Sequence, residues 1–297
     1  MMGWFIFAIL GAIFWSGNVI FDKFVLTKRM QNPYIYNIYT MVLDVPFILI
    51  FFLIPISFNT TGIFLGIITG FILSFSNFVY NKVLMREEAS VVTLLLYTKP
   101  IFVISLAWLL LSEALSIQKY LGIVLLVASS LLISYAKPKK KLFLYSTISL
   151  VLLVSFMWAI GNVISKYALF STDYWSLLFW MLAGQLISVP IWFLHPAVRN
   201  NFVKISKSVD KKIYAYITAN EVIYNLGELS FFIAASLGFV SVVTAITGMV
   251  PFFVLLFALI ISIFSPKILR EVLDKKTVAL KLIAVILIFV GGWLVII

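Results

Sequence analysis

Ser90-Val91-Val92-Thr93, followed seven residues after its threonine by Pro100, returns as Ser241-Val242-Val243-Thr244, followed at the same interval by Pro251. The copies lie 151 residues apart, each in a long apolar stretch. A proline inside a membrane helix removes a backbone donor and frees carbonyls, which must then face a cavity or another helix. Proline-interrupted helices at corresponding places in two halves point to a transporter built by duplication, with its site where the halves meet.

The bulk of the chain agrees. Its 297 residues are 63% hydrophobic and only 11% charged, with mean hydropathy +1.15. A soluble domain cannot hide that much apolar surface, so the expected surroundings are a lipid bilayer. No polar block is large enough for an appended soluble domain. Cysteine is absent, which excludes disulfides and thiolate chemistry. His195 is the only histidine, so a histidine-based metal site or catalytic dyad has no material. No Walker A, HExxH or GxSxG pattern occurs. The chain is therefore not expected to be an enzyme, to hold a metal or cofactor, or to use ATP. The net charge of +11 fits basic cytoplasmic loops better than nucleic-acid binding. The first apolar segment lacks a basic leader and a small-residue cleavage signature, and reads as a retained helix.

Ten apolar segments have the roughly 20 residues that a spanning helix needs. They fall near 3–25, 34–54, 62–84, 90–111, 117–135, 143–168, 174–194, 213–235, 240–264 and 278–297. The basic run Lys137-Pro138-Lys139-Lys140-Lys141 divides them into five plus five, as residues 1–136 and 142–297 with 137–141 as linker. Gly17-Asn18-Val19-Ile20 is matched by Gly161-Asn162-Val163-Ile164, and Ser129-Ser130 aligns with Gly291-Gly292. An odd number of helices per half turns the second half upside down. The expected fold is an all-α integral membrane protein of about ten transmembrane helices in two inverted five-helix repeats.

Ala89-Ser90-Val91-Val92 leading to Pro100, then Glu113, Gln118 and Gly122, resembles the passage from helix 4 to helix 5 in the drug/metabolite transporter superfamily, specifically its EamA-type ten-helix members. The resemblance covers nearly the whole chain in organisation. In the second half the passage is longer, running through Ser265-Pro266-Lys267 before Glu271. The resemblance implies transport, with export of amino acids and other metabolites within the family's range. It names no substrate.

Of the 22 Lys and Arg, nineteen fall on the connections after helices 1, 3, 5, 7 and 9, and two, Lys119 and Lys166, on those after helices 4 and 6. By the positive-inside rule the odd connections face the cytoplasm and both termini lie outside, against the orientation usual among relatives. The expected location is the cell membrane. In the long loop 195–212, Val198, Phe202, Ile205 and Val209 recur at helical spacing among Arg199, Lys204 and Lys207. This is either an amphipathic helix on an anionic leaflet or a solvated basic loop.

Charges deep in a membrane helix are costly and mark function by default. Glu221, Asn225 and Glu228 share one face of helix 8, with the two carboxylates roughly 10 Å apart along the axis. At the 151-residue offset, Ser74 answers Asn225 and Asn77 answers Glu228. Lys99 sits mid-helix directly before Pro100, where the other half has Val250. It is placed to bind an anionic group or to pair with Glu228 or Glu221. Thr93, Tyr97 and Pro100 follow on one face of helix 4, and Thr244, Thr247 and Pro251 on helix 9. Trp15 and Asn18 on helix 1, and Trp158 and Asn162 on helix 6, complete the candidates. Asp22 beside Lys23 reads as an interfacial ion pair, and Glu113, Lys119 and Glu271 as solvated helix ends. Asp44, two residues before Pro46, is intramembrane with no evident repeat-mate. Gly66 and Gly70 read as close-packing positions.

The expected activity is secondary transport of a small polar, amino-acid-like solute by alternating access around a midplane cavity, with protons as a candidate coupling ion. A flippase for a lipid-linked sugar or polyprenyl phosphate, with Lys99 reading the phosphate, is the alternative within transport. A lateral opening toward lipid would favour it. A membrane scaffold would have no cavity at all, and a lipid-modifying enzyme would carry its polar cluster at one membrane face.

Overall fold

The computed structural model describes residues 3–134, 141–264 and 275–296. Most of the 137–141 linker and the passage 265–274, with Glu271, lie outside the described residues. Fourteen helices run in chain order, and the described residues contain no strand. The first half holds α1 (Gly3–Lys28), α2 (Pro33–Leu43), α3 (Val45–Ile50), α4 (Thr60–Arg86), α5 (Ala89–Leu95), α6 (Lys99–Leu111) and α7 (Ile117–Ser134). The second holds α8 (Lys141–Ala168), α9 (Tyr174–Phe193), α10 (Pro196–Ser208), α11 (Lys211–Leu237), α12 (Val240–Thr247), α13 (Val250–Phe264) and α14 (Lys275–Ile296). With α2–α3, α5–α6 and α12–α13 each counted as one broken span, and α10 set apart, these are the ten expected segments. Seven of the ten are long and apolar enough by themselves to cross a membrane. Among the other three, α11 is the informative one, because it carries the buried polar residues Asn220, Glu221, Asn225 and Glu228.

The duplication is visible in the helix ends. Displaced by 151 residues, the bounds of α4 fall on those of α11, and the starts of α5 and α6 on those of α12 and α13. Both broken spans therefore break at the same place. The packing alternates between halves: α1 lies along α11, α8 lies along α4, and α7 lies against α14. The first helix of each half thus covers the third helix of the other.

Local chemistry fixes the helix ends. Asn32 caps α2 by accepting from the N–H groups of Tyr34 and Ile35 at 3.1 Å, with Pro33 pre-set at the first helical position. Asp173 caps α9 in the same way, at 2.9 and 3.0 Å. Two lysines close two C-termini. Lys23 Nζ donates to the carbonyls of Leu84 (2.7 Å) and Glu87 (2.5 Å) at the end of α4. Lys166 Nζ donates to Ala235 (2.7 Å) and Gly238 (2.9 Å) at the end of α11. These acceptors are repeat-mates at the 151-residue offset. A cation there satisfies orphan carbonyls and meets the negative end of the helix dipole.

Glycine sets the closest helix approach. A side chain at Gly70 would run into the Met181 carbonyl and stand 2.7 Å from Gln185 N, and one at Gly66 would stand 2.6 Å from Trp180 Cβ. The backbones of α4 and α9 therefore touch, as the small-residue spacing predicts. Residues 196–208 do form the helix α10, but its apolar face is already covered. Val198 is fully buried, and Phe202 stacks on Tyr39.

Candidate functional site

The break in the fourth span decides what enters the centre. α5 tightens into a 3-10 turn over Leu96–Thr98, and α6 restarts with Lys99 and Pro100. The matching break falls at Gly248 and Met249, before Val250 and Pro251. Between these breaks and helices α1, α4, α8 and α11 lies a cavity enclosing about 1220 Å³ of empty space, its open mouth included. Trp15, Asn18, Asn77, Tyr97, Lys99, Pro100, Trp158, Asn162, Glu221, Glu228 and Pro251 all line it. So do the weaker candidates Thr93, Thr244 and Thr247.

Lys99 is held between two indoles. Its Nζ lies 5.3 Å from the Trp15 ring centroid and 5.8 Å from that of Trp158. Desolvated cation–π contacts of this kind are worth about 2 kcal/mol each. They hold the ammonium at the centre instead of letting it snorkel outward. Trp158 is oriented by donating from Nε1 to Asn77 Oδ1 at 3.2 Å, and Trp15 rests on Gly227, where a Cβ would stand 2.5 Å from Trp15 Cδ1. Glu228 faces Lys99, with the Trp15 indole N–H and the Tyr224 hydroxyl beside its carboxylate. The two charges do not close into a contact ion pair, so each can meet a solute. The buried polar atoms Trp15 Nε1, Thr69 Oγ1, Tyr80 Oη, Ser165 Oγ, Gln185 Nε2 and Tyr224 Oη stand in the same wall without a well-formed hydrogen bond. Walls of this kind suit a polar ligand or ordered water. Asn162 Nδ2 donates to Thr244 Oγ1 at 3.2 Å, and Tyr97 Oη to the Ala245 carbonyl at 3.3 Å.

Three sequence expectations need correction. Asn225 does not line the cavity. It is fully buried and donates from Nδ2 to Asp44 Oδ1 at 2.6 Å. At roughly 100° per residue, Tyr224 lies nearer Glu228 around the helix than Asn225 does, so Tyr224 takes the cavity face. Asp22 is no interfacial ion pair. Lys23 turns to the α4 carbonyls, while Asp22 lines the cavity and accepts from Tyr36 Oη (2.5 Å) and Asn220 Nδ2 (2.7 Å). Glu113 is not solvated. It is buried and accepts from Val240 N (2.9 Å), Ser241 N (3.1 Å) and Ser241 Oγ (2.7 Å), capping α12.

One signal went unread. Asp44-Val45-Pro46 recurs as Ser188-Val189-Pro190, displaced by the same 144 residues that separate Gly17 from Gly161. The structure uses both copies alike. Ser188 Oγ donates to Ser74 Oγ at 2.6 Å, and Asp44 receives Asn225, the repeat-mate of Ser74. These pairs pin α9 to α4 and α2–α3 to α11.

Residues 2–135 match the profile of the EamA-like transporter family. The first half of the chain is thus similar to the EamA-like transporters of the drug/metabolite transporter superfamily. That similarity supports a membrane transporter of small solutes. A crystal structure of another protein, 14% identical, superposes with a TM-score of 0.70 over 98% of this chain and 94% of its own, which shows the shared fold. No curated protein matches the chain by sequence.

Proposed function

We propose that this transporter carries a small zwitterion of the amino-acid class by alternating access, with Lys99 engaging the carboxylate and Glu228 the ammonium. The observation that carries the reading is the separated pair. A half-buried cation in an indole bracket faces a buried carboxylate across a polar-walled cavity, with neither spent on the other. Opposed charges in a low-dielectric pocket select a dipolar solute, because an uncharged or singly charged one leaves a buried group unpaired. The two halves, 1–136 and 142–297, act as inverted repeats rocking about this site. The paired breaks at Lys99–Pro100 and Val250–Pro251 lie on its walls. Within this reading, export across the cell membrane is taken from the family resemblance, and both termini outside from the charge distribution alone, against the orientation usual among relatives. Because Lys23 and Lys166 serve as helix caps, they say little about topology.

The flippase reading needs a lipid-side entrance. A second void of about 360 Å³ does lie beside Glu221, lined by Leu43, Pro46, Phe47 and Ile50. Lys99 is not in its wall, so the only proposed phosphate reader would not meet a lipid entering there.

Thermal-shift measurements on purified protein with a panel of amino acids, their amides and their deaminated acids test the assignment. Stabilisation by zwitterions alone, abolished in Lys99→Ala and in Glu228→Gln, is expected, as is loss of counterflow in proteoliposomes. Undiminished transport in both variants at equal protein levels would remove the assignment.

A further inference from the structure

A second charged cluster lies in the cavity wall away from Lys99. Asp22 is buried, and its Oδ1 accepts from Tyr36, Asn220 and, at 3.5 Å, Asn18. Glu221, adjacent to Asn220, is 5% exposed, and among the described residues no side chain bonds its carboxylate. It lies close enough to Asp22 and Asp44 to feel both charges. Asp44 Oδ2 is buried and unpartnered. Among the described residues the surrounding helices present titratable groups, and the two nearest lysines face other groups. α2 offers Tyr36, α4 offers Tyr80, and α11 offers Tyr224, while Lys23 is turned to the α4 carbonyls and Lys99 to Glu228.

Two independent features point to a ligand here. Tyr80, on α4, is 5% exposed, and its unpartnered Oη stands in the same cavity wall as Asp22. Glu221 also borders the second void together with Asp44, so one acidic residue lines both spaces. Like charges in a low-dielectric wall repel, and a proton removes that repulsion in the least space. Among the described residues no three acids converge as a metal ion requires.

We propose that Asp22, Glu221 and Asp44 form a proton-binding site, distinct from the Lys99–Glu228 pair, that loads and releases the proton driving transport. Loading transfers a proton from hydronium in the cavity to a carboxylate oxygen, forming one O–H bond and leaving water. Release reverses this. The assignment rests on the transport reading only in giving the proton its driving role.

Infrared spectroscopy of the protein in lipid nanodiscs, without solute, over a pH series in H2O and D2O, tests it. The expected result is a protonated-carboxyl C=O band that shifts on deuteration and vanishes as pH rises. Glu221→Gln, Asp22→Asn and Asp44→Asn should each weaken a component that persists in Glu228→Gln. 13C-aspartate labelling of the unmodified protein should move part of the band, so the result does not depend on any variant folding. Absence of the band overturns the proposal, as does an unchanged band in all three variants. Loss of the band on adding sodium at fixed pH makes this a sodium site and overturns it too. Lost solute binding in Lys99→Ala with the band intact leaves this site standing, whereas zwitterion binding without the band leaves only the solute site.

Discussion

Glu113→Ala should be among the most destabilising single changes outside the cavity. The carboxylate accepts from two backbone amides and one hydroxyl at the start of α12, at 2.9, 3.1 and 2.7 Å, and is itself buried. α12 has eight residues, well below the roughly 12–15 that an isolated helix needs, so it depends on its cap and its neighbours. Each orphaned buried amide costs about 1–3 kcal/mol, whereas the Ser241 hydroxyl can turn to another acceptor. The expected loss from the two amides is therefore about 2–6 kcal/mol. Glu113→Gln keeps one acceptor oxygen and should lose about 1–3 kcal/mol. Equilibrium unfolding in mixed detergent micelles reads the difference, and Ser241→Ala in both backgrounds gives the coupling. A Glu113→Ala protein within about 0.5 kcal/mol of the parent, the spread of ordinary surface substitutions, would refute the capping role. Additive effects of Glu113→Ala and Ser241→Ala would refute the direct bond.

Three further outcomes are expected. Gly248→Ala should cost about 1–3 kcal/mol by overpacking, because its methyl would overlap the Tyr97 hydroxyl and stand 2.8 Å from the Ala245 carbonyl, and only the tyrosine's share should vanish in a Tyr97→Leu background; the same unfolding measurement decides it. Lys23→Met and Lys166→Met each strip a helix C-terminus of its donor, so hydrogen exchange should accelerate at the end of α4 in the first and of α11 in the second, and acceleration at both ends in either variant would contradict separate caps. Asn225→Leu should destabilise by about 1–3 kcal/mol by leaving Asp44 Oδ1 unpaired, yet leave solute affinity within about twofold; a loss equal to that of Glu228→Gln would return Asn225 to the site.

Sequence alone located the ten segments because spanning helices announce themselves by length and hydropathy, and it located the duplication because an offset is countable. It also found Lys99, Glu221 and Glu228, since a charge in an apolar run has few ways to be satisfied except in a cavity. It failed where two neighbouring residues compete for one face. Tyr224 and Asn225 lie within one step of each other on α11, and polarity alone favoured the wrong one. It failed again at Glu113 and Asp22, whose partners are more than a hundred residues away in the first case and spread over α2 and α11 in the second. Sequence neighbours suggested solvent and Lys23. The distant backbone amides that claim Glu113 carry no sequence signature.

The repeat also shows why the site had to lose its symmetry. Tyr97 and Gly248 are repeat-mates, and in the structure they meet, the tyrosine hydroxyl filling the space that the glycine leaves open. Residues near a pseudo-twofold axis face their own counterparts, so a large side chain in one half demands a small one in the other. Two tyrosines there would collide, and two glycines would leave a hole beside the broken helices. The same logic extends to Lys99 and Val250, both in the cavity wall, where a second lysine would set two cations against one facing carboxylate. Asn77 and Glu228 follow it as well, with the asparagine aligning Trp158 and the glutamate facing Lys99 in the cavity wall. Away from the cavity equivalence survives in the backbone: the carbonyls capped at the ends of α4 and α11 are repeat-mates, although the capping lysines, 143 residues apart, are not. Divergence between the halves is therefore a requirement of packing and charge at the cavity, and it falls on the residues to which we assign solute binding.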